Sequence, residues 1–188
     1  MTERRGPADQ RAALTAAAIG VVERAGTSAV TLSEIAAAAQ VDADAASGLF
    51  DSVDDLLIEA ALRMAADDLR LDAVARSAGA PSASAYSHHF ATRRAFYRAV
   101  RVGSVAAKLD ARMAEVMAPL IAVQIRTLVG ARISEEVLEQ LTADVTRECF
   151  EVTNRWIVES ADDAGPESLY VRFEAIMLHR LEEVRDGR

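Results

Sequence analysis

Few side chains in this chain have types and spacings that could do chemistry. His88 and His89 are adjacent, and a histidine pair invites a metal ion. Successive residues on a helix point about 100° apart, so the two imidazoles do not share a face. No cysteine or further histidine stands at a partner spacing, and no metal is expected. Cys149 is the single cysteine, which excludes an internal disulfide and a thiolate cluster. It falls on an apolar helical stripe and reads as a buried structural thiol. Asp54 and Asp55 could serve as paired acids. They follow Ser52 at the start of a helix, where carboxylates satisfy amides and oppose the positive end of the dipole, so capping is the better reading. No nucleophile elbow, phosphate loop, zinc motif or dinucleotide fingerprint occurs. An enzyme is not expected, and no cofactor is implied.

Binding has more support than catalysis. Tyr86, Phe90, Phe96, Tyr97, Met113 and Met117 lie on consecutive helical segments, with His89 and Arg93 nearby as polar handles. A largely apolar lining with a few placed polar groups is what a small apolar ligand needs. The same side chains would also make an ordinary core. Near the N-terminus, Arg4, Arg5 and Arg11 are cations that could meet phosphate.

The elements that must position these residues read as helices throughout. Leu14, Ala18, Val21 and Val22 share a face of a first helix from about Ala8 to Ala25, with Gly26 as its stop. Thr31-Leu32-Ser33-Glu34 is a capping box opening a second helix, whose stripe is Leu32, Ile35, Ala36 and Ala39. Gln40-Val41-Asp42 reads as a tight turn, and Ala43 to Phe50 as a short third helix. Ser52 caps a fourth, expected to reach about Ser77 before Gly79-Ala80-Pro81-Ser82 breaks it. One helix should carry Tyr86 through Val100. One or two more should run from Gly103 to about Arg132, divided near Pro119. Ser134 caps a long helix with the stripe Leu138, Leu141, Val145, Cys149, Val152 and Trp156. Pro166 opens the last, which presents Leu169, Phe173, Ile176, Met177, Leu181 and Val184. The fold class expected is all-α, with residues 1–57 as a small head and 58–188 as a larger helical body.

Composition agrees. Apolar residues make up 51% of the 188, enough for a sizeable core, and much of that share is alanine, which favours helix over strand. No apolar run approaches a membrane span, and Met1 to Pro7 lacks the apolar core of a signal peptide, so the cytoplasm is the expected compartment and no membrane partner is expected. The net charge of -8 argues against a general attraction to phosphate. Lys108 is the single lysine.

The order of short, capped and long helices, together with the residues on them, resembles the TetR/AcrR family of transcriptional regulators. Its signature reads Thr-x-x-x-Ile-Ala-x-x-Ala-Gly-Val-Ser, then an apolar residue, Tyr, two residues, Phe, and a later Lys-x-x-Leu. Thr31-Leu32-Ser33-Glu34-Ile35-Ala36-Ala37-Ala38-Ala39-Gln40-Val41-Asp42 follows it without a gap, and so does Ala46-Ser47-Gly48-Leu49-Phe50 through Val53-Asp54-Asp55-Leu56. The segment from His89 to Val100 is similar to one in the family's ligand domains, and Trp156 sits where many members carry a Trp. The resemblance implies a ligand-responsive transcriptional regulator, a repressor, with a helix-turn-helix head that binds duplex DNA as a homodimer. It places Thr31, Ala43 and Ser47 against DNA, with Arg4, Arg5 and Arg11 in support. It puts the dimer interface on the last two helices, through Leu141, Val145, Val152, Trp156, Phe173, Ile176, Met177 and Leu181. A small apolar ligand would act by shifting the fourth helix.

The departures fall on one class of position. Packing residues are kept: Ile35, Ala36, Ala39, Val41, Phe50 and Leu56. Residues that face DNA in the family are changed: Ser47 replaces Tyr, Val53 replaces Lys, Gln40 replaces the turn Gly and Asp42 the turn Ser. From Thr31 to Leu57 there is no Lys or Arg, while Glu34, Asp42, Asp44, Asp51, Asp54 and Asp55 supply six negative charges. Since phosphate neutralisation carries most sequence-independent affinity, this chemistry favours an alternative: a TetR-fold ligand- or protein-binding module that has lost DNA binding.

Overall fold

Local chain chemistry accounts for most of the helix ends. The computed structural model describes residues 6–69, 83–101, 103–130, 133–161 and 164–186. Helix α1 (Pro7–Ala25) begins on a proline that has no amide to leave unpaired. It stops at Gly26, whose φ of 65° is left-handed and lets its N–H reach the Val22 carbonyl. Helix α2 (Leu32–Ala39) opens on the capping box: the Thr31 hydroxyl accepts from the Glu34 amide, and the Glu34 carboxylate accepts from the Thr31 amide at 2.7 Å. Gln40 closes it at φ 54°, a left-handed position that glycine fills more readily. After a three-residue turn, Asp42 caps α3 (Ala43–Leu49) by accepting from the amides of Asp44 and Ala45. The Ser52 hydroxyl accepts from the Asp55 amide at the start of α4 (Val53–Asp68). The part of this helix expected beyond Leu69, and the break at Gly79 to Ser82, lie outside the described residues.

The aromatic segment forms two helices where one was expected: α5 (Ala83–Thr92) and α6 (Arg94–Val100), parted at Arg93. Two neighbouring guanidinium groups have different targets. Arg93 pairs with Asp68 at 2.8 Å, while Arg94 is buried against the end of α8 (Glu135–Glu159). There it donates to the carbonyls of Trp156, Ile157, Ser160 and Ala161 and lies 4.5 Å above the Trp156 ring. A cation at the negative end of a helix satisfies carbonyls that have no partner in the helix itself. Helix α7 (Val105–Val129) runs unbroken through Pro119. Pro119 is exposed, so the carbonyl it leaves unpaired can face water, while Met117, Ile121 and Ile125 hold the opposite face buried. Helix α9 (Pro166–Arg185) completes the chain.

The described residues are helical, with no strand among them, and none of their helices is long and apolar enough to cross a membrane. Packing divides the chain into two units. The first takes the residues up to Met64 together with Ala95–Leu109. The division expected at residue 57 thus falls within α4, and this unit also includes residues from α6 and the first turn of α7. In it α1 packs on α2 and α3 around Leu14, Ala18, Val22, Ile35 and Ala36. Ser28 lies against Gly103, where an added Cβ would come within 2.1 Å of the serine oxygen.

The second unit takes Ala65–Arg94 and Asp110–Arg188. In it α9 packs on α5 and α8, and α5 touches α8. Several residues expected on a dimer face are consumed inside this packing. Leu141, Val145, Trp156 and Phe173 are at most 8% exposed. The Trp156 indole donates to Ser168 at 2.8 Å, so this ring is core. Val152, Ile176, Met177 and Leu181 are half-buried. The large apolar side chains left in solvent on α8 and α9 are instead Val137, Val158, Val171 and Leu178.

Candidate ligand-binding site

The second unit holds a cavity of about 390 Å³. Its lining is built from helical stripes. Helix α5 supplies Ala83, Tyr86 and Phe90, and α7 supplies Met117, Ile121, Gln124 and Leu128. Helix α8 adds Val145, Cys149, Phe150 and Thr153, and α9 adds Tyr170, Phe173, Glu174, Met177 and Leu178. Spacings of three and four residues turn each set to one side of its helix. Phe90, Met117, Val145, Thr153 and Phe173 are buried, while Leu128, Glu174 and Leu178 are exposed, so the cavity has a deep apolar part and an open rim.

Its polar groups are sparse. The Tyr86 hydroxyl is buried and meets no hydrogen-bond partner among the described residues. Burial pushes this phenol well above its usual range. Burial likewise raises the Cys149 thiol to about 12, with the nearby Glu148 adding to it, so the sulfur is a neutral, weakly polar wall. Thr153 spends its hydroxyl proton on the Cys149 carbonyl at 2.7 Å. At the rim the Tyr170 hydroxyl donates to the Glu174 carboxylate, and this bond raises the phenol's pKa.

The residues expected to form a pocket separate here. Phe90 and Met117 line the cavity, as does Tyr86. Met113 is buried without reaching it, and Phe96 and Tyr97 pack edge to face with each other in the first unit. His89 and Arg93 both turn to Asp68, His89 through Nδ1 at 3.0 Å and Arg93 through Nε at 2.8 Å. The Arg93 hydrogen bond holds the Asp68 carboxyl below its ordinary range. Burial lowers the His89 pKa, and the Asp68 hydrogen bond opposes that only in part. Val145, Phe173 and Met177, expected at a dimer interface, are cavity wall. The residues that sequence reasoning missed include Ile121, Gln124, Phe150, Thr153, Tyr170 and Glu174. Their signal was the run Met117, Ile121, Gln124, Leu128 and its counterpart Val145, Cys149, Thr153, each at helical spacing.

In the first unit, Thr31, Ala43 and Ser47 are exposed. Thr31 is occupied by its capping box, and Ser47 donates to the Ala43 carbonyl at 3.0 Å. Asp42, Asp44, Asp51 and Asp55 are exposed beside them. Arg11, expected to support phosphate contact, instead forms a fork on Glu59 at 2.8 and 2.9 Å, donates to the Leu49 carbonyl and covers the Phe50 ring. Lys108 sits 3.4 Å from Asp54. Arg4 and Arg5 lie outside the described residues. In comparison with known proteins, the chain matches no family model, no curated protein and no solved structure.

Proposed function

We propose that this chain is a TetR-like, ligand-responsive transcriptional regulator, a repressor that binds DNA as a homodimer through a helix-turn-helix head. The observation that carries the reading is the pairing of two features. One unit holds two short capped helices joined by a three-residue turn, and the other holds a largely apolar cavity. Ligand in that cavity would act on the head through α4, whose residues belong to both units. In this reading the dimer surface would include the exposed Val158 and Val171 of α8 and α9. Sedimentation at micromolar concentration should give a dimer, and Val158→Asp with Val171→Asp should give a monomer.

A specific observation favours the second reading, a module of the same plan that no longer binds DNA. The surface around α3 carries exposed Asp42 and Asp44, and Arg11 is already neutralised by Glu59. Selection from a randomised duplex pool at physiological salt separates the two. Recovery of a two-fold symmetric site supports the regulator. A pool that stays unenriched while the protein still binds small apolar molecules supports the module.

A further inference from the structure

The rim of the cavity carries information about the charge of its occupant. Glu174 is the carboxylate of the lining, and among the described residues no Lys, Arg or His lines the space. Some acids on α8 and α9 are matched by cations, as where Arg180 bridges Glu148 and Glu183 and Arg147 pairs with Asp144, and of those without an ion pair among the described residues Glu174 is the one that lines the cavity. Glu174 has no ion pair among the described residues, and its hydrogen bond comes from the neutral Tyr170. A carboxylate left unmatched at the mouth of an apolar cavity is a place where a ligand cation gains attraction. An anionic head group there meets repulsion, with no cation in the lining to offset it.

Taking the cavity as the ligand site of the protein proposed above, we infer that it accepts amphipathic cations: molecules with an apolar body and a protonated amine. The apolar body would fill the space around Phe90, Met117 and Phe173. The ammonium would stay at the rim beside Glu174, partly hydrated, so no bare charge is buried. Tyr170 and Phe150 add aromatic faces to the lining, which suit a cation better than an anion. The chain's net charge of -8 also concentrates cations near its surface.

Decylamine, decanol and decanoate test this, as one chain length with three head groups. Each is titrated below its micelle concentration into the native protein and into Glu174→Gln, by calorimetry. Glu174 is exposed, so the variant keeps the fold. In the native protein decylamine should bind about fivefold more tightly than decanol, the range of a partly exposed ion pair, and decanoate should bind most weakly. Added salt should shrink the amine's advantage and leave decanol unchanged. In Glu174→Gln the amine should fall to the level of decanol, whose own affinity should not move. The inference is overturned if decanoate binds best, if amine and alcohol bind alike in the native protein, or if the preference survives in the variant. Those results would leave the cavity itself as a ligand site. Failure of all three compounds to bind would remove the site along with the inference.

Discussion

His89 is a residue whose burial has consequences for the whole chain's response to acid. Its side chain is fully buried against Asp68, and burial lowers its pKa from the ordinary 6.5. A histidine kept neutral by the fold takes its proton first in the unfolded chain. Its contribution to stability is therefore complete above about pH 6.5 and falls as pH drops through the lowered folded value. Asp68, held low chiefly by the Arg93 hydrogen bond, acts with the same sign further into acid, below the ordinary carboxylate range. Urea unfolding at pH 7, 6 and 5 should show stability declining over this window. His89→Asn keeps a donor for Asp68 but cannot titrate. It should flatten the decline by at most about 1.4 kcal/mol per pH unit, the value for one proton. An unchanged slope would show that His89 is not the titrating group. Cys149 gives a second test at this scale. A thiol raised to about 12 carries at least about a hundredfold less thiolate at neutral pH than an ordinary one. Alkylation by iodoacetamide should be slow in buffer and rapid in denaturant.

At the scale of elements, local signals proved reliable where caps decide and weak where long-range partners decide. The capping box at Thr31, the Gly26 stop, the Asp42 and Ser134 caps and the Pro166 start all mark helix ends in the structure. Each acts within one turn of chain, so the sequence contains the whole cause. The break at Arg93 was not legible, because its cause is a pull from Asp68 and from the end of α8, distant in sequence. Continuity through Pro119 was equally hidden, since it depends on which side of α7 faces solvent. The turn between α2 and α3 offers a direct test. Gln40 holds a left-handed φ of 54° and is exposed, so glycine relieves strain without removing a contact. Gln40→Gly should stabilise the protein by about 0.5–1 kcal/mol, read as a higher denaturant midpoint at constant slope. Ser134→Ala, which removes the cap accepting from the Val137 amide, should cost about 1 kcal/mol.

At the scale of the molecule, the first unit keeps a packed scaffold under a surface of the wrong charge for DNA. Asp42, Asp44 and Ser47 are exposed and Val53 is half-buried, so chemistry can be changed there without disturbing Ile35, Ala46 or Phe50 beneath. Asp42→Ser retains a capping oxygen, and Asp44→Lys, Ser47→Tyr and Val53→Lys add two cations and a phenol. The fourfold variant should gain non-specific duplex affinity that weakens with salt, by a slope of about one per phosphate neutralised. Its thermal midpoint should stay within about 3 °C of the parent, as expected for surface changes. Binding of a defined site at nanomolar concentration by the unaltered chain would refute this account of the surface.

The sequence alone determined the helical class, most helix ends and the acidic character of the segment from Thr31 to Leu57. These follow from residue type, period and local capping, which need no distant partner. Tertiary structure decided where the apolar stripes go. A stripe records only that one side of a helix avoids water, and the same spacing serves a core, a subunit interface or a cavity wall. Trp156 therefore became core beneath Arg94, while Phe173 and Met177 came to line a cavity. Phe96 and Tyr97 packed in the other unit. The side chains of His89, Arg93 and Arg11 were likewise assigned by partners 21, 25 and 48 residues away in the chain. Hydrogen bonds and ion pairs over such separations are fixed by the fold that brings the groups together, and no local pattern encodes them.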